Sequence, residues 1–122
     1  MLTDLFQRYE EIIASWSVSH FDREGPDLRL KARVVFTDGS ELHIRQIVID
    51  GAMMKYAYHW QTSAGILIAR WDNAEHWPDI VTFPHHKHVR GDDGTSVQPS
   101  QGAELSLVME EIAARFHSRS QS

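Results

Sequence analysis

The sequence predicts one α+β domain, in which an antiparallel sheet of about four to five strands carries an N-terminal and a C-terminal helix on one face. At both ends of the 122-residue chain, apolar residues recur every three or four positions, which is the helical period. Between the ends they alternate with polar residues in short segments that glycine-containing turns separate. A chain of this length forms one hydrophobic core, and no long linker divides it, so residues 1–122 are predicted to be a single domain.

The N-terminal half is predicted to contain a helix followed by strands. Apolar residues at helical spacing predict a helix from about residue 3 to about residue 15, with Thr3 as its N-cap. Alternation then predicts a short strand over residues 16–21 and a hairpin over residues 28–49 that turns at Asp38-Gly39.

A second hairpin is predicted over residues 54–71, with its loop around Ser63-Ala64-Gly65. This loop would pair Tyr58 with Ala69 and place the aromatic side chains on one face. The opposite face carries Lys55 and the polar side chains of His59, Gln61, Arg70 and Asp72. Because side chains alternate along a strand, His59 shares a face with Gln61, and Arg70 with Asp72, at any register.

The C-terminal part is predicted to be less regular. Two prolines and the lack of a clear period predict an ordered loop over residues 72–87, and a flexible loop is predicted over residues 90–95. A short edge strand is expected around Val97, and a C-terminal helix with an apolar stripe is expected after Pro99-Ser100. Residues 117–122 are predicted to form a frayed polar tail.

Composition excludes several classes of protein. The chain contains no cysteine, which excludes disulfides and thiolate metal sites, and it contains no apolar run long enough to span a membrane. Its start is acidic and amphipathic, unlike a signal peptide, so a cytoplasmic protein is expected. The net charge of −5 argues against a broadly basic nucleic-acid-binding surface but leaves room for a local positive groove.

Histidine and tryptophan are concentrated in one segment. Five of the eight histidines and three of the four tryptophans lie between Tyr56 and Val89. Imidazoles exchange protons near neutral pH, bind metals and contact phosphate. The segment is therefore the predicted functional part of the chain.

Four short motifs resemble one protein family. They are YxYHWQ at residues 56–61, LIxRWDNAxHxP at 67–78, TFPHHKHV at 82–89 and VxPS at 97–100. Together they resemble the TumE family of toxin components of toxin–antitoxin systems. The resemblance implies a small cytoplasmic toxin encoded beside a cognate antitoxin, and it brings no catalytic assignment. Trp77 stands where the family often carries a histidine.

The favoured hypothesis is a metal-independent ribonuclease that needs no cofactor. Cleavage of RNA by its own 2′-hydroxyl requires a general base, a general acid and a cation for the phosphorane charge. The predicted catalytic residues are His59, Arg70, His85, His86 and Lys87. The predicted substrate-binding residues are Gln61, Asp72, Asn73, His76, His88 and Trp77.

Two other hypotheses stay open. The first is a metal site that uses His86 and His88, whose side chains point the same way if the segment is extended. Asp72, His76 or His59 would complete the set of ligands, which suits Zn, Ni or Mn. A non-catalytic module would recognise the antitoxin or a nucleic acid, with Asp72 and Asn73 only organising a loop. An exposed sheet edge would also permit a homodimer.

Overall fold

The computed structural model describes residues 2–91, 94–100, 102 and 104–120, with side chains up to residue 118. Within these residues, seven antiparallel strands form one sheet whose spatial order follows the chain from β1 to β7. The elements are α1 (Leu2–Gln7), β1 (Ile13–Glu24), β2 (Asp27–Phe36), β3 (Glu41–Ile49), β4 (Ala52–Gln61), β5 (Leu67–Asp72), β6 (His86–Gly91), β7 (Gly94–Pro99) and α2 (Leu105–Ser120). No helix in this part of the chain has the length and apolar character needed to cross a membrane.

The prediction of a sheet of about four to five strands flanked by two packed helices is wrong, because the sheet has seven strands and the N-terminal helix is short. The N-terminal helix ends at Gln7 rather than near residue 15, turns follow, and β1 begins at Ile13. The side chains of Tyr9 and Ile12, which extended the helical spacing, pack against the core from these turns. The spacing of Tyr9 and Ile12 therefore reflects their burial in the core and not a continuous helix.

Strand β6 is unexpected, because it lies in the segments predicted to be loops. Residues 86–91 form β6, which pairs with β5, and residues 94–99 form β7, which includes the expected edge strand at Val97. Strand β6 is mostly polar on both faces, so apolar alternation does not reveal it. Asp92 and Asp93, in the predicted flexible loop, lie outside the described residues. Helix α2 continues to Ser120 through most of the predicted frayed tail, whose last two residues also lie outside the described ones.

The predicted turns occur where the sequence placed them, but one register differs. Asp50 and Gly51 adopt φ values of 54° and 77° between β3 and β4, the left-handed conformation that a tight two-residue hairpin turn requires. In the β4–β5 hairpin, Tyr58 pairs with Trp71 instead of Ala69. The wider turn and a bulge shift the register by two residues, so each residue keeps its predicted face.

The core lies between one face of the sheet and the helices. Its buried aromatic residues on β4 and β5 are Tyr56, Tyr58, Trp60 and Trp71. Leu105, Val108, Met109 and Ile112 of α2 join them in the same buried cluster. The indole nitrogen of Trp60 donates a hydrogen bond to Ser40 Oγ at 3.0 Å, so its polar atom is satisfied inside the core. The opposite face of the sheet, here called the outer face, carries the polar residues of the same strands.

Candidate functional site

A row of polar residues crosses the outer face from β2 to β6. The strand registers place Arg33 opposite His43, His43 opposite His59, His59 opposite Arg70, and Arg70 opposite His88. Side chains directly opposite one another on antiparallel strands have Cβ atoms about 5 Å apart. Residues from five strands therefore form one continuous line of imidazole and guanidinium groups.

His59 and Arg70 are in contact at the centre of this row. The Arg70 Nη1 atom lies 3.3 Å from His59 Nδ1. Arginine only donates, so Nδ1 accepts and presents its lone pair on this side. Burial is the largest influence that lowers the pKa of His59, and the charges of Arg70 and His43 lower it further. A hydrogen bond with Gln61 acts in the opposite direction and raises this pKa. The neutral imidazole is consequently the favoured form at neutral pH.

Asp72 is a buried carboxylate that joins several of these groups. Its Oδ2 atom accepts a hydrogen bond from Arg70 Nε at 3.0 Å, and its Oδ1 atom accepts one from the backbone N–H of Ala74 at 3.0 Å. The same Oδ1 atom lies 2.8 Å from His86 Nε2, and Oδ2 lies 3.7 Å from His88 Nε2. Asp72 thus orients Arg70 and also organises the turn that follows β5.

His86 and His88 extend from β6 to the same side as Asp72. His86 is buried, and its Nδ1 atom donates a hydrogen bond to the Pro84 carbonyl at 3.0 Å. His88 is partly exposed, lies with its ring 4.8 Å from that of His86, and packs against the edge of Trp77. Burial is also the largest influence that lowers the pKa of His88. One potential ligand atom from each of Asp72, His86 and His88 lies within 4.8 Å of the others.

The structure separates two of the predicted catalytic residues from this cluster. Lys87 alternates with His86 and His88, so it lies on the helix side of the sheet, where its Nζ atom is 2.8 Å from Glu111 and above the ring of Trp71. His85 Nδ1 and the Tyr56 hydroxyl form a hydrogen bond at 2.8 Å. Burial raises the pKa of Tyr56, so that hydroxyl stays protonated at neutral pH.

The remaining predicted binding residues differ in their roles. Gln61 lies beside His59 on the same face. The side chain of Asn73 accepts from the Tyr56 N–H and donates to the Met54 carbonyl, so it ties the loop to β4. Trp77 is exposed, and so is His76, whose side chain makes no hydrogen bond or ion pair with any residue that the structure describes.

A basic groove on the outer face includes residues that the sequence analysis did not select. The groove has a volume of about 490 Å³. Its cationic and imidazole side chains are Lys31, Arg33, His43, Arg45, His59 and Arg70. Arg33 contacts Glu41, but within residues 2–91, 94–100, 102 and 104–120 no ion pair involves Lys31 or Arg45. Basic residues at every second position of β2 are the sequence signal for this groove, because they form the exposed side of a strand.

Comparison with known proteins identifies the family. The model of the family described as Toxin TumE matches residues 2–116. The chain belongs to the TumE toxin family. It is therefore a toxin component of a toxin–antitoxin system, and a cognate antitoxin is its implied partner. No curated protein and no solved structure matches it significantly.

In this TumE chain, the motifs that carried the resemblance come together in space. The LIxRWDNA motif forms β5 and the start of the following loop, and the HHKH motif enters β6, which pairs with β5. This pairing places Asp72 opposite His86 and Arg70 opposite His88. The most distinctive residues of the chain thus form one contiguous polar cluster at the end of the basic groove.

Proposed function

We propose that this TumE toxin cleaves RNA at His59 and Arg70 on the outer face, without a metal ion in the reaction. The observation that supports this proposal is the contact between His59 Nδ1 and Arg70 Nη1, at 3.3 Å, inside a groove of basic side chains. A neutral imidazole beside a guanidinium pairs a proton acceptor with a cation that binds phosphate.

In the proposed reaction, His59 Nδ1 takes the proton of a 2′-hydroxyl, and the 2′-oxygen attacks the adjacent phosphorus. The bond from phosphorus to the 5′-oxygen breaks, which leaves a 2′,3′-cyclic phosphate and a 5′-hydroxyl. Arg70 stabilises the negative charge on the phosphorane, and its movement toward phosphate exposes the Nδ1 lone pair. His43, directly across from His59, is the second imidazole and supplies the proton to the leaving 5′-oxygen.

Asp72 and His86 act as positioning residues in this proposal. Asp72 is only 6% exposed and His86 only 1%, so neither is placed to touch an RNA strand in the groove. Asp72 instead fixes the direction of the Arg70 guanidinium, and His86 in turn contacts the Asp72 carboxylate. His85 and Lys87 are left out of the reaction because they contact groups on the helix side of the sheet.

The substrate class follows from the charge and shape of the groove. Lys31, Arg33 and Arg45 supply cations on β2 and β3 at which successive phosphates can bind. An open sheet face suits a single strand, whose unpaired bases can stack on an aromatic side chain such as Trp77. We therefore assign single-stranded RNA as the substrate.

The test is cleavage of RNA by the purified protein in the presence of EDTA, together with growth after induced expression. We expect His59→Gln and Arg70→Gln each to lower the cleavage rate by about 100-fold or more, since each removes a group that acts in the transition state. His117→Gln, an exposed histidine on α2, is the matched control and should cleave like the wild type.

Two results would contradict the proposal. The site is wrong if a folded His59→Gln/Arg70→Gln double variant still arrests growth and cleaves RNA. The reaction is wrong if the wild type arrests growth and binds RNA in this groove but leaves it intact, which is the behaviour of a non-catalytic binding toxin.

A further inference from the structure

We propose that Asp72, His86 and His88 form a binding site for one divalent transition-metal ion of the zinc class. The ligand atoms of these residues lie within 4.8 Å of one another, and two of the residues are buried. The site adjoins the proposed reaction centre through Arg70 but uses none of the groups that move protons there. The inference is independent of RNA cleavage.

The sheet register brings the three ligands together. Asp72 on β5 is directly opposite His86 on β6, and His88, two residues further along β6, extends from the same face. Zinc binds imidazole nitrogen and carboxylate oxygen at about 2.0–2.1 Å, so neighbouring ligand atoms in a tetrahedral site are roughly 3.3 Å apart. The separations of 2.8 Å from Asp72 Oδ1 to His86 Nε2, and of 3.7 Å from Asp72 Oδ2 to His88 Nε2, lie on either side of that value. The ligand atoms of the two histidines are therefore spaced from the carboxylate much as in a tetrahedral site.

The groups around the ligands favour coordination by His86 Nε2. The Pro84 carbonyl accepts a hydrogen bond from His86 Nδ1 and therefore fixes the proton on that nitrogen. Histidine ligands in metal sites commonly donate their other ring N–H to such an acceptor. The Nε2 atom of the same ring points at the Asp72 carboxylate, 2.8 Å from Oδ1. A metal ion between these two groups would replace their direct contact with two coordinate bonds.

The donor set indicates the class of metal. Two imidazoles and one carboxylate, with no thiolate in the chain, suit Zn²⁺, Ni²⁺ or Co²⁺ better than Ca²⁺ or Mg²⁺. Three protein ligands leave a fourth position for water. Arg70 competes with the metal because its guanidinium already binds Asp72 Oδ2 at 3.0 Å. Removal of that positive charge is expected to strengthen metal binding.

The experiment uses the full chain after treatment with a chelator and removal of the chelator. Zn²⁺ is titrated by calorimetry, and Co²⁺ is titrated by visible absorption, in which a tetrahedral site gives intense d–d bands. We expect one ion per chain, a melting temperature that rises with Zn²⁺ concentration, and an affinity at least tenfold weaker in His88→Gln and in Asp72→Asn. Arg70→Gln should bind Zn²⁺ more tightly than the wild type.

The neighbouring histidine provides the control. His85→Gln removes an imidazole from the same HHKH segment, but one that contacts Tyr56, so it should leave the affinity for Zn²⁺ unchanged. His88 is partly exposed, so its variant tests the site without a buried substitution. The proposal fails if the folded wild type binds no Zn²⁺, or if His85→Gln and His88→Gln weaken binding equally, which would indicate capture by surface histidines.

Discussion

At the residue scale, His59 differs from a surface histidine in what surrounds it. Arg70 faces it from β5, His43 faces it from β3, and Gln61 lies beside it on β4. Burial and the two neighbouring charges disfavour the imidazolium, so the pKa lies below the usual value of about 6.5. The unfolded chain then binds more protons than the folded chain between the two pKa values, so this group makes folding less stable as the pH falls through that window.

The first prediction concerns this titration. NMR of the imidazole C–H signals should show wild-type His59 titrating below pH 6.5, and Arg70→Gln should move its pKa upward because the charge of Arg70 is removed. Cleavage should rise with pH through the same wild-type pKa, since the base must be neutral. A His59 pKa at or above the ordinary value in the folded wild type would contradict the described effect of burial and neighbouring charge. It would also contradict the proposed role of His59 as the general base.

At the element scale, β6 divides a histidine-rich motif between two faces of the sheet. His86 and His88 face outward to Asp72, whereas Lys87 between them faces helix α2 and contacts Glu111. A one-residue step along a strand reverses the direction of the side chain. The motif is therefore continuous in sequence but divided between the two faces of the sheet.

The second prediction follows from this division. Lys87→Met removes an ion pair whose partner Glu111 is half exposed, so it should change the free energy of unfolding by at most about 1 kcal/mol and leave RNA cleavage unchanged. Arg70→Met removes a positive charge from the outer face and should abolish cleavage. Both variants are assayed side by side with circular dichroism as a check of folding. Loss of cleavage in folded Lys87→Met would show that the proposed site on the outer face is wrong.

At the scale of the whole molecule, net charge does not describe the surface that RNA would meet. The chain has 12 Lys and Arg residues against 17 Asp and Glu residues. Four of the basic residues nevertheless line one groove: Lys31, Arg33, Arg45 and Arg70. Since salt screens charges over about 10 Å at 0.1 M, this local cluster acts on a bound strand more strongly than distant acidic residues do.

The third prediction concerns the dependence of RNA binding on salt. In a His59→Gln background, which keeps the RNA intact, the logarithm of the binding constant should fall linearly with the logarithm of salt concentration. Lys31→Gln and Arg45→Gln should each reduce that slope by about 0.7, the value for one phosphate contact on a single strand. Arg8→Gln makes the same charge change on the other side of the molecule and should leave the slope unaltered. Equal effects of all three would show that the groove is not the binding surface.

The sequence by itself determined the local features of this protein. Alternation placed His59 with Gln61 on one side of a strand, Asp50-Gly51 formed the expected turn, and the motifs indicated the TumE family. These features depend on residues close in the chain, where the period of two and the conformational freedom of glycine decide the outcome.

Only the tertiary structure decided the number of strands and the partners of the side chains in the candidate site. The sequence could not show that His59 lies opposite Arg70, that His86 meets Asp72, or that basic residues of β2 and β3 extend the same surface. Strand pairing joins residues far apart in the chain, and a polar strand such as β6 forms by backbone hydrogen bonds to its neighbours without an apolar pattern of its own. Register across the whole sheet, fixed by burial of the opposite face, therefore determined which charged groups meet.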